Sequence, residues 1–179
     1  ISLAHPDRPA MPNVKLVASD NGEVAVALKI AKMSKTVEGL MEALNMTEES
    51  EEALFEQNPI PLPNVTKEVL DMVVKWCEQH VDDAPIEEKP DDGREKCTTD
   101  IPEWDQEFFK MEQKPLFDLF QASNYMDIRG LFINISKSVA NMLKSCKTAQ
   151  EVRDMFHIVK DLTDEEEEKI RKENSWCDE

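Results

Sequence analysis

The first part of the chain has the alternating pattern of a small β-sheet. Residues Val14 to Ala18 are β-prone, and Asp20-Asn21-Gly22 is a turn signal. Residues Glu23 to Leu28 alternate, with the large apolar side chains on one face, so the pattern predicts a β-hairpin. The run Ile60-Pro61-Leu62-Pro63 is extended, because a residue before proline is disfavoured in the helical region. It can form an edge strand at most.

Apolar residues at helical spacing predict two helices around this last strand. Residues Lys35 to Met46 carry the shorter pattern, and the acidic residues 47–58 after them predict a loop. The stronger helical pattern follows Val65 and has Trp76 beside its apolar stripe. That stripe consists of Val69, Leu70, Val73, Val74 and Cys77.

The pattern after a charged segment predicts helices throughout. Residues 82–100 are rich in charge and proline with few apolar residues, a composition typical of a flexible, disordered linker. A short helix is predicted over Glu103 to Met111. Pro115 suits the first position of the next helix, which extends to about Met126. Ile128 to Lys144 keeps the helical period throughout.

The last two predicted helices begin with capping boxes. Thr148 with Glu151 is the first, and Thr163 with Glu166 is the second. The final segment has only one large apolar residue between Thr163 and Asn174, so it lacks the stripe that usually holds a helix on a domain. Trp176 follows directly. We interpret this tryptophan as a residue that docks on another protein.

Composition and charge limit the partners and the cellular location that we expect for this protein. The chain of 179 residues has 38 acidic and 21 basic residues, a net charge of −17, which argues against nucleic acid and anionic membranes as partners. The four cysteines form no CxxC pair, which indicates reduced thiols and a cytoplasmic and nuclear location. Residues 1–13 lack periodicity, and we expect a disordered leader or an expression remnant.

The sequence has little of the chemistry of an enzyme. Cys77 and His80 have ligand-like spacing, but without a second pair nearby a stripe cysteine and a helix-end histidine are favoured over zinc. His157 lies near a helix end, where a dipole or capping role is favoured. Four glycines cannot build a phosphate loop. Glu165 to Glu168 point around their helix, which favours a solvated face. We expect no catalytic residue, no cofactor and no metal.

Six short strings occur in one order between about Val14 and Asp178. They are PLPNV at 61–65, KWCE at 75–78, DIPEWDQEF at 100–108, NYMDI at 124–128, VANM at 139–142 and RKENSWC at 171–177. Together these strings resemble the S-phase kinase-associated adaptor (Skp) family. Members of that family bridge a cullin scaffold to an F-box protein in ubiquitin ligases.

The resemblance implies an α+β fold with two parts. Residues 14–128 would form a BTB/POZ-like domain, a small sheet with helices, interrupted by the acidic linker at about 82–100. Residues 129–179 would form an all-helical extension that binds an F-box protein. The implied F-box contacts are Leu116, Phe117, Phe120, Phe132, Ser136, Val139, Met142, Phe156, Ile158 and Trp176.

The resemblance also implies that a cullin contacts Asn124 and Tyr125. Tyr125 is the only tyrosine of the chain, and tyrosine is favoured at interfaces because it combines apolar area with a hydroxyl group. The implied function is a non-enzymatic adaptor that joins an F-box substrate receptor to a cullin.

Some positions depart from the family pattern and keep an alternative open. Phe120 and Phe132 are bulkier than the expected aliphatic residues, so F-box preference would differ. Ala25 and Ala27 give the strand from Val24 to Leu28 a more apolar outer face than is usual. These features suggest a divergent paralogue. The alternative function is a self-associating scaffold, a homodimer acting outside any ligase.

Overall fold

The structure is a computed structural model that describes residues 13–46, 58–83 and 99–177. The chain divides into two compact units, which we call the first unit (up to Ala140) and the second unit (from Asn141). The predicted division at 128/129 follows the family resemblance. The compact first unit extends further because Leu131 and Ile135 are fully buried core residues.

The sheet of the first unit has the order β2-β1-β3. Strands β1 (Asn13–Ala18) and β2 (Glu23–Ala27) are antiparallel, which confirms the predicted hairpin. Strand β3 (Ile60–Leu62) pairs with β1 in parallel at one edge, as predicted for a segment with Pro61. The turn needs Gly22, because a Cβ atom there would lie 2.5 Å from Cβ of Lys67.

Among its described residues, the first unit also contains six helices. They are α1 (Leu28–Ala31), α2 (Lys35–Ala43), α3 (Lys67–His80), α4 (Glu103–Phe108), α5 (Gln113–Tyr125) and α6 (Arg129–Ser145), the last of which begins in this unit. The predicted apolar stripe of α3 is confirmed, since four of its five residues are buried and Val74 is half-buried. Helix α1 was not predicted, because four residues are too few to show a helical period.

The second unit contains two helices and a terminal turn among its described residues. They are α7 (Ala149–Phe156), α8 (Asp164–Glu173) and the 3-10 turn Ser175–Cys177. The capping box at Thr163 is confirmed. His157 ends α7 in the left-handed region with φ 53°, which confirms its capping role.

One predicted helix start and one predicted capping box differ in detail from the structure. Helix α5 begins at Gln113, so Pro115 is its third residue; a proline is still tolerated there because the first-turn N–H groups have no partner within the helix. At α7, Thr148 accepts a hydrogen bond from the Glu151 amide at 3.2 Å. In a full capping box the Glu151 carboxylate would accept from the Thr148 amide. Here it accepts from the Lys147 amide instead, at 2.7 Å.

The buried core of the first unit is formed by side chains of the sheet, α3, α5 and the start of α6. Its fully buried large side chains include Val14, Leu16, Ile60, Leu62, Leu70, Leu116, Leu119, Leu131 and Ile135. Among the described residues, no helix combines the length and apolar character that a membrane span requires. Most of the predicted leader (1–12 of 1–13), most of the acidic loop (47–57) and most of the linker (84–98) lie outside the described residues. Asn13, placed in the leader by the prediction, is the first residue of β1.

Candidate protein-binding surfaces

Partly exposed phenylalanines from α5 and α6 meet on the first unit. The rings of Phe120 and Phe132 stack with centroids 4.9 Å apart and planes inclined by 12°. Phe117 is half-buried one turn before Phe120, on the same face of α5. We call Phe117, Phe120 and Phe132, with Ser136 and Val139 further along α6, the phenylalanine patch.

The phenylalanine patch continues along α6 at helical spacing. Ser136 donates from its hydroxyl to the carbonyl of Phe132 at 2.7 Å, so its polar atom is satisfied within the helix. Ser136 and Val139 are both half-buried. A partner helix could therefore lie along this face and cover apolar area without leaving the hydroxyl group of Ser136 buried and unpaired.

Leu116 differs from the other predicted F-box contacts. Its side chain is 1% exposed and belongs to the core of the first unit. It points inward because it is one position from Phe117, about 100° around the helix. In this conformation Leu116 offers a partner almost no surface, so the phenylalanine patch excludes it.

Asn124 and Tyr125 end α5 and lie over the start of α2. Asn124 is exposed and Tyr125 is half-buried. The Thr36 hydroxyl donates to the carbonyl of Tyr125 at 2.9 Å, and the Ser34 hydroxyl donates to the carbonyl of Met126. These bonds hold the backbone of the pair, which leaves its side chains available to a partner. The sequence patterns did not indicate this role for Ser34 and Thr36.

A buried carboxylate joins three helices of the first unit. Asp105 of α4 is 0% exposed. It accepts hydrogen bonds from Nε1 of Trp76 at 2.8 Å, from Nε2 of His80 at 2.9 Å, and from the Asn134 amide. Trp76 and His80 belong to α3, and Asn134 belongs to α6. We call these four residues the Asp105 cluster.

Cys77 and His80, the pair with ligand-like spacing, have separate surroundings in the structure, and only His80 belongs to the Asp105 cluster. The His80 ring stacks on Trp76 with centroids 4.1 Å apart and turns its second nitrogen to Asp83. Burial raises the pKa of the Cys77 thiol to about 12, so this sulfur stays protonated at neutral pH, and a metal needs the thiolate. Among the described residues, no group of His, Cys, Asp and Glu is placed to hold a metal ion.

The second unit exposes several apolar side chains. No described residue from Asn141 to Trp176 is buried. Met142 and Phe156 are half-buried, while Ile158 is 53% and Trp176 is 72% exposed. Thus the predicted F-box contacts of this unit all have accessible surface, and the indole of Trp176 is mostly uncovered.

Comparison with known proteins places this chain in a family. Residues 12–82 match the family model described as Skp1 family, tetramerisation domain, and residues 129–177 match Skp1 family, dimerisation domain. A Skp1-related protein of Caenorhabditis elegans is 43% identical over 165 residues, which cover 92% of this chain and 91% of that protein. The chain belongs to the Skp1 family.

Other similar Skp1-family proteins are named as ligase subunits. The protein named E3 ubiquitin ligase complex SCF subunit sconC of Arthroderma benhamiae is 39% identical over 170 residues, covering 95% of this chain and 98% of that protein. The protein of the same name from Talaromyces marneffei is 39% identical over 165 residues, covering 92% and 96%.

The two Skp1-family models leave part of the candidate surfaces unmatched. Residues 83–128 lie between the matched segments. Phe117, Phe120, Asn124, Tyr125 and Asp105 all fall in this interval. For these residues the Skp1-family assignment rests on the relatives that align with most of this chain. The geometry of these residues comes from the structure.

Proposed function

We propose that this Skp1-family chain is a non-catalytic subunit of an SCF-type E3 ubiquitin ligase, joining an F-box substrate receptor to a cullin. The observation that carries the proposal is the exposure of Trp176, at 72%, in a unit with no buried residue among those described. An aromatic side chain left in solvent gains most when a partner covers it. The names of the two fungal relatives give the class of complex.

The F-box protein would contact the phenylalanine patch and the exposed apolar side chains of the second unit. Tryptophan and phenylalanine supply large apolar area with few rotatable bonds, so ordering them on binding costs little entropy. The cullin would contact Asn124 and Tyr125. The function then consists of holding two partners at a fixed separation, and it requires no catalytic group.

Helix α5 carries part of both proposed contacts. Phe120 lies on the phenylalanine patch, and Tyr125 lies five positions later on the same helix. At about 1.5 Å per residue, the two positions are separated by about 7.5 Å along the axis. A helix is stiff over this length, so the spacing between the two partners would be set by α5.

We propose that the chain acts as this adaptor in the cytoplasm and nucleus.

Charge placed at the end of α5 tests the cullin contact. We expect Asn124→Lys and Tyr125→Lys each to weaken cullin binding by about 100-fold or more, because an unpaired charge buried at an interface costs several kcal/mol. The carbonyl of Tyr125 still accepts from Thr36 in both variants, so F-box binding should persist. Calorimetric titration with a purified cullin and with an F-box domain measures both.

The control for these variants is Ser19→Lys, which adds the same charge at an exposed position after β1. It should bind both partners like the unchanged chain. Loss of both partners in Asn124→Lys or Tyr125→Lys would indicate misfolding, and full cullin binding by both variants would contradict the proposed contact.

Self-association is the second candidate function. Strand β2 lies at one end of the sheet, and Ala25 on it is exposed, so a second copy could pair along this edge. Light scattering over a range of concentrations separates the two functions. A monomer at all concentrations that binds one F-box chain would remove the scaffold; a dimer that fails to bind an F-box chain would favour it.

A further inference from the structure

The second unit has little apolar burial to fix the arrangement of its helices. From α7 to the start of α8, the apolar side chains are either half-buried, as are Val152, Phe156 and Leu162, or exposed. Helix packing in proteins usually depends on a buried apolar face. The orientation of α8 against α7 must therefore depend on other contacts within this unit.

A cluster of ion pairs supplies such contacts. The Glu167 carboxylate of α8 lies 2.8 Å from Nη2 of Arg153 on α7 and 3.3 Å from Nζ of Lys160 in the connecting segment. Lys160 also pairs with Asp164. Glu167 thus links α7, the connection and α8, and we call these four residues the Glu167 cluster.

Partial burial gives the Glu167 cluster more weight than an ordinary surface pair. The side chains of Glu167 and Arg153 are each 24% exposed. Oε1 of Glu167 is shielded from solvent and has no well-aligned hydrogen-bond donor among the described residues, so the charge of Arg153 holds it. Pairs with restricted solvent access are screened less than exposed ones. Hydrogen bonds from Lys160 to Asp164 and Glu167 raise the pKa of the lysine, which keeps it charged.

The neighbouring glutamate provides a contrast. Glu168 pairs with Lys172 at 3.0 Å, but both residues lie on α8 and both are exposed. The Glu168 pair can support α8 itself and cannot fix that helix to another segment. The acidic run at 165–168, for which the sequence favours a solvated face, therefore contains a residue that contacts another helix, in addition to Glu166 of the capping box. Four consecutive positions point around a helix, so one of them faces α7.

We infer that Glu167 is a positioning residue for partner binding: through Arg153 and Lys160 it holds α8 against α7 and so pre-organises Trp176 and Ile158. This inference rests on the proposed function. Ile158 follows the end of α7 and Trp176 follows the end of α8. When the two helices are already fixed, the partner need not order them on binding, and that ordering is one of the main costs of association.

Neutralising Glu167 tests the inference, with Glu168→Gln as a matched control on the same helix with the same charge change. We expect Glu167→Gln to bind a purified F-box domain about 3- to 10-fold more weakly in calorimetric titration. In this variant α8 must be ordered against α7 during binding, and that ordering costs free energy. Glu168→Gln should bind within about 2-fold of the unchanged chain. Added salt should weaken binding by the unchanged chain more than binding by Glu167→Gln, so the two affinities converge.

Two further measurements separate positioning from a general loss of structure. Amide hydrogen exchange over residues 164–173 of the free chain should be faster in Glu167→Gln than in Glu168→Gln, and equal in the two complexes. The double variant Arg153→Gln/Glu167→Gln should bind as Glu167→Gln alone does, because both changes remove one interaction.

The outcomes distinguish this inference from the proposed function. Equal affinity and equal exchange in Glu167→Gln and Glu168→Gln would overturn the positioning role while F-box binding stands. Failure of the unchanged chain to bind F-box domains would overturn the proposed function. In that case hydrogen exchange of the free chain still tests whether Glu167 fixes α8. Equal exchange in Glu167→Gln and Glu168→Gln would show that it does not.

Discussion

Asp105→Ala is expected to destabilise the protein by about 3–5 kcal/mol, the cost of removing the shared acceptor of three buried or partly buried hydrogen bonds. The substitution removes the common acceptor of Trp76, His80 and Asn134. It leaves these donors facing a site that is 0% exposed, where an unsatisfied polar group costs about 1–3 kcal/mol. Urea denaturation monitored by tryptophan fluorescence measures the free energy of unfolding.

Two comparison variants show whether the buried carboxylate is responsible. Asp105→Asn keeps one acceptor oxygen but brings an NH₂ group against other donors, so its loss should be smaller, about 1–3 kcal/mol. Glu107→Ala changes an exposed glutamate on the same helix, where the pair with Lys110 contributes little. It should leave the unfolding midpoint unchanged. Equal midpoints for Asp105→Ala and Glu107→Ala would show that the Asp105 cluster does not stabilise the fold.

The Asp105 cluster also shows what sequence patterns cannot predict. The hairpin, α3 and α6 were predictable because each depends on spacing between near neighbours along the chain. Trp76, Asp105 and Asn134 are each separated by 29 residues from the next. Neither the tryptophan beside an apolar stripe nor the acidic residue at the start of a helix indicates a distant partner. Their meeting is a result of tertiary packing.

The burial or exposure of residues in the candidate surfaces was predictable to different degrees, for similar reasons. The exposure of Trp176 was predictable, because a helix with one large apolar residue has little to bury it. The burial of Leu116 was harder to foresee, since Leu116 and Phe117 are adjacent apolar residues and the resemblance alone does not tell which faces the core. Glu167 was missed because its partner Arg153 lies on the preceding helix, whereas the sequence suggests only local pairs.

Trp176→Ala is expected to weaken binding of an F-box domain by about 2–4 kcal/mol, the range of an aromatic hot spot. That loss corresponds to about 30- to 700-fold in affinity. The indole is 72% exposed in the free chain, so its removal should leave the unfolding free energy nearly unchanged. Calorimetric titration of the variant with the same F-box domain, beside urea denaturation of the free variant, gives both quantities.

Val159→Ala is the control, because Val159 is another exposed apolar residue of the second unit, at 83%, outside the predicted contacts. Its F-box affinity should stay within about 2-fold, since scattered exposed apolar residues need no partner. Hydrogen exchange adds an independent test: residues 165–176 should be less protected in the free chain than in the complex. If Trp176→Ala instead lowered the stability of the free chain and left F-box affinity intact, the indole would belong to the fold of this chain, and the proposed contact would be wrong.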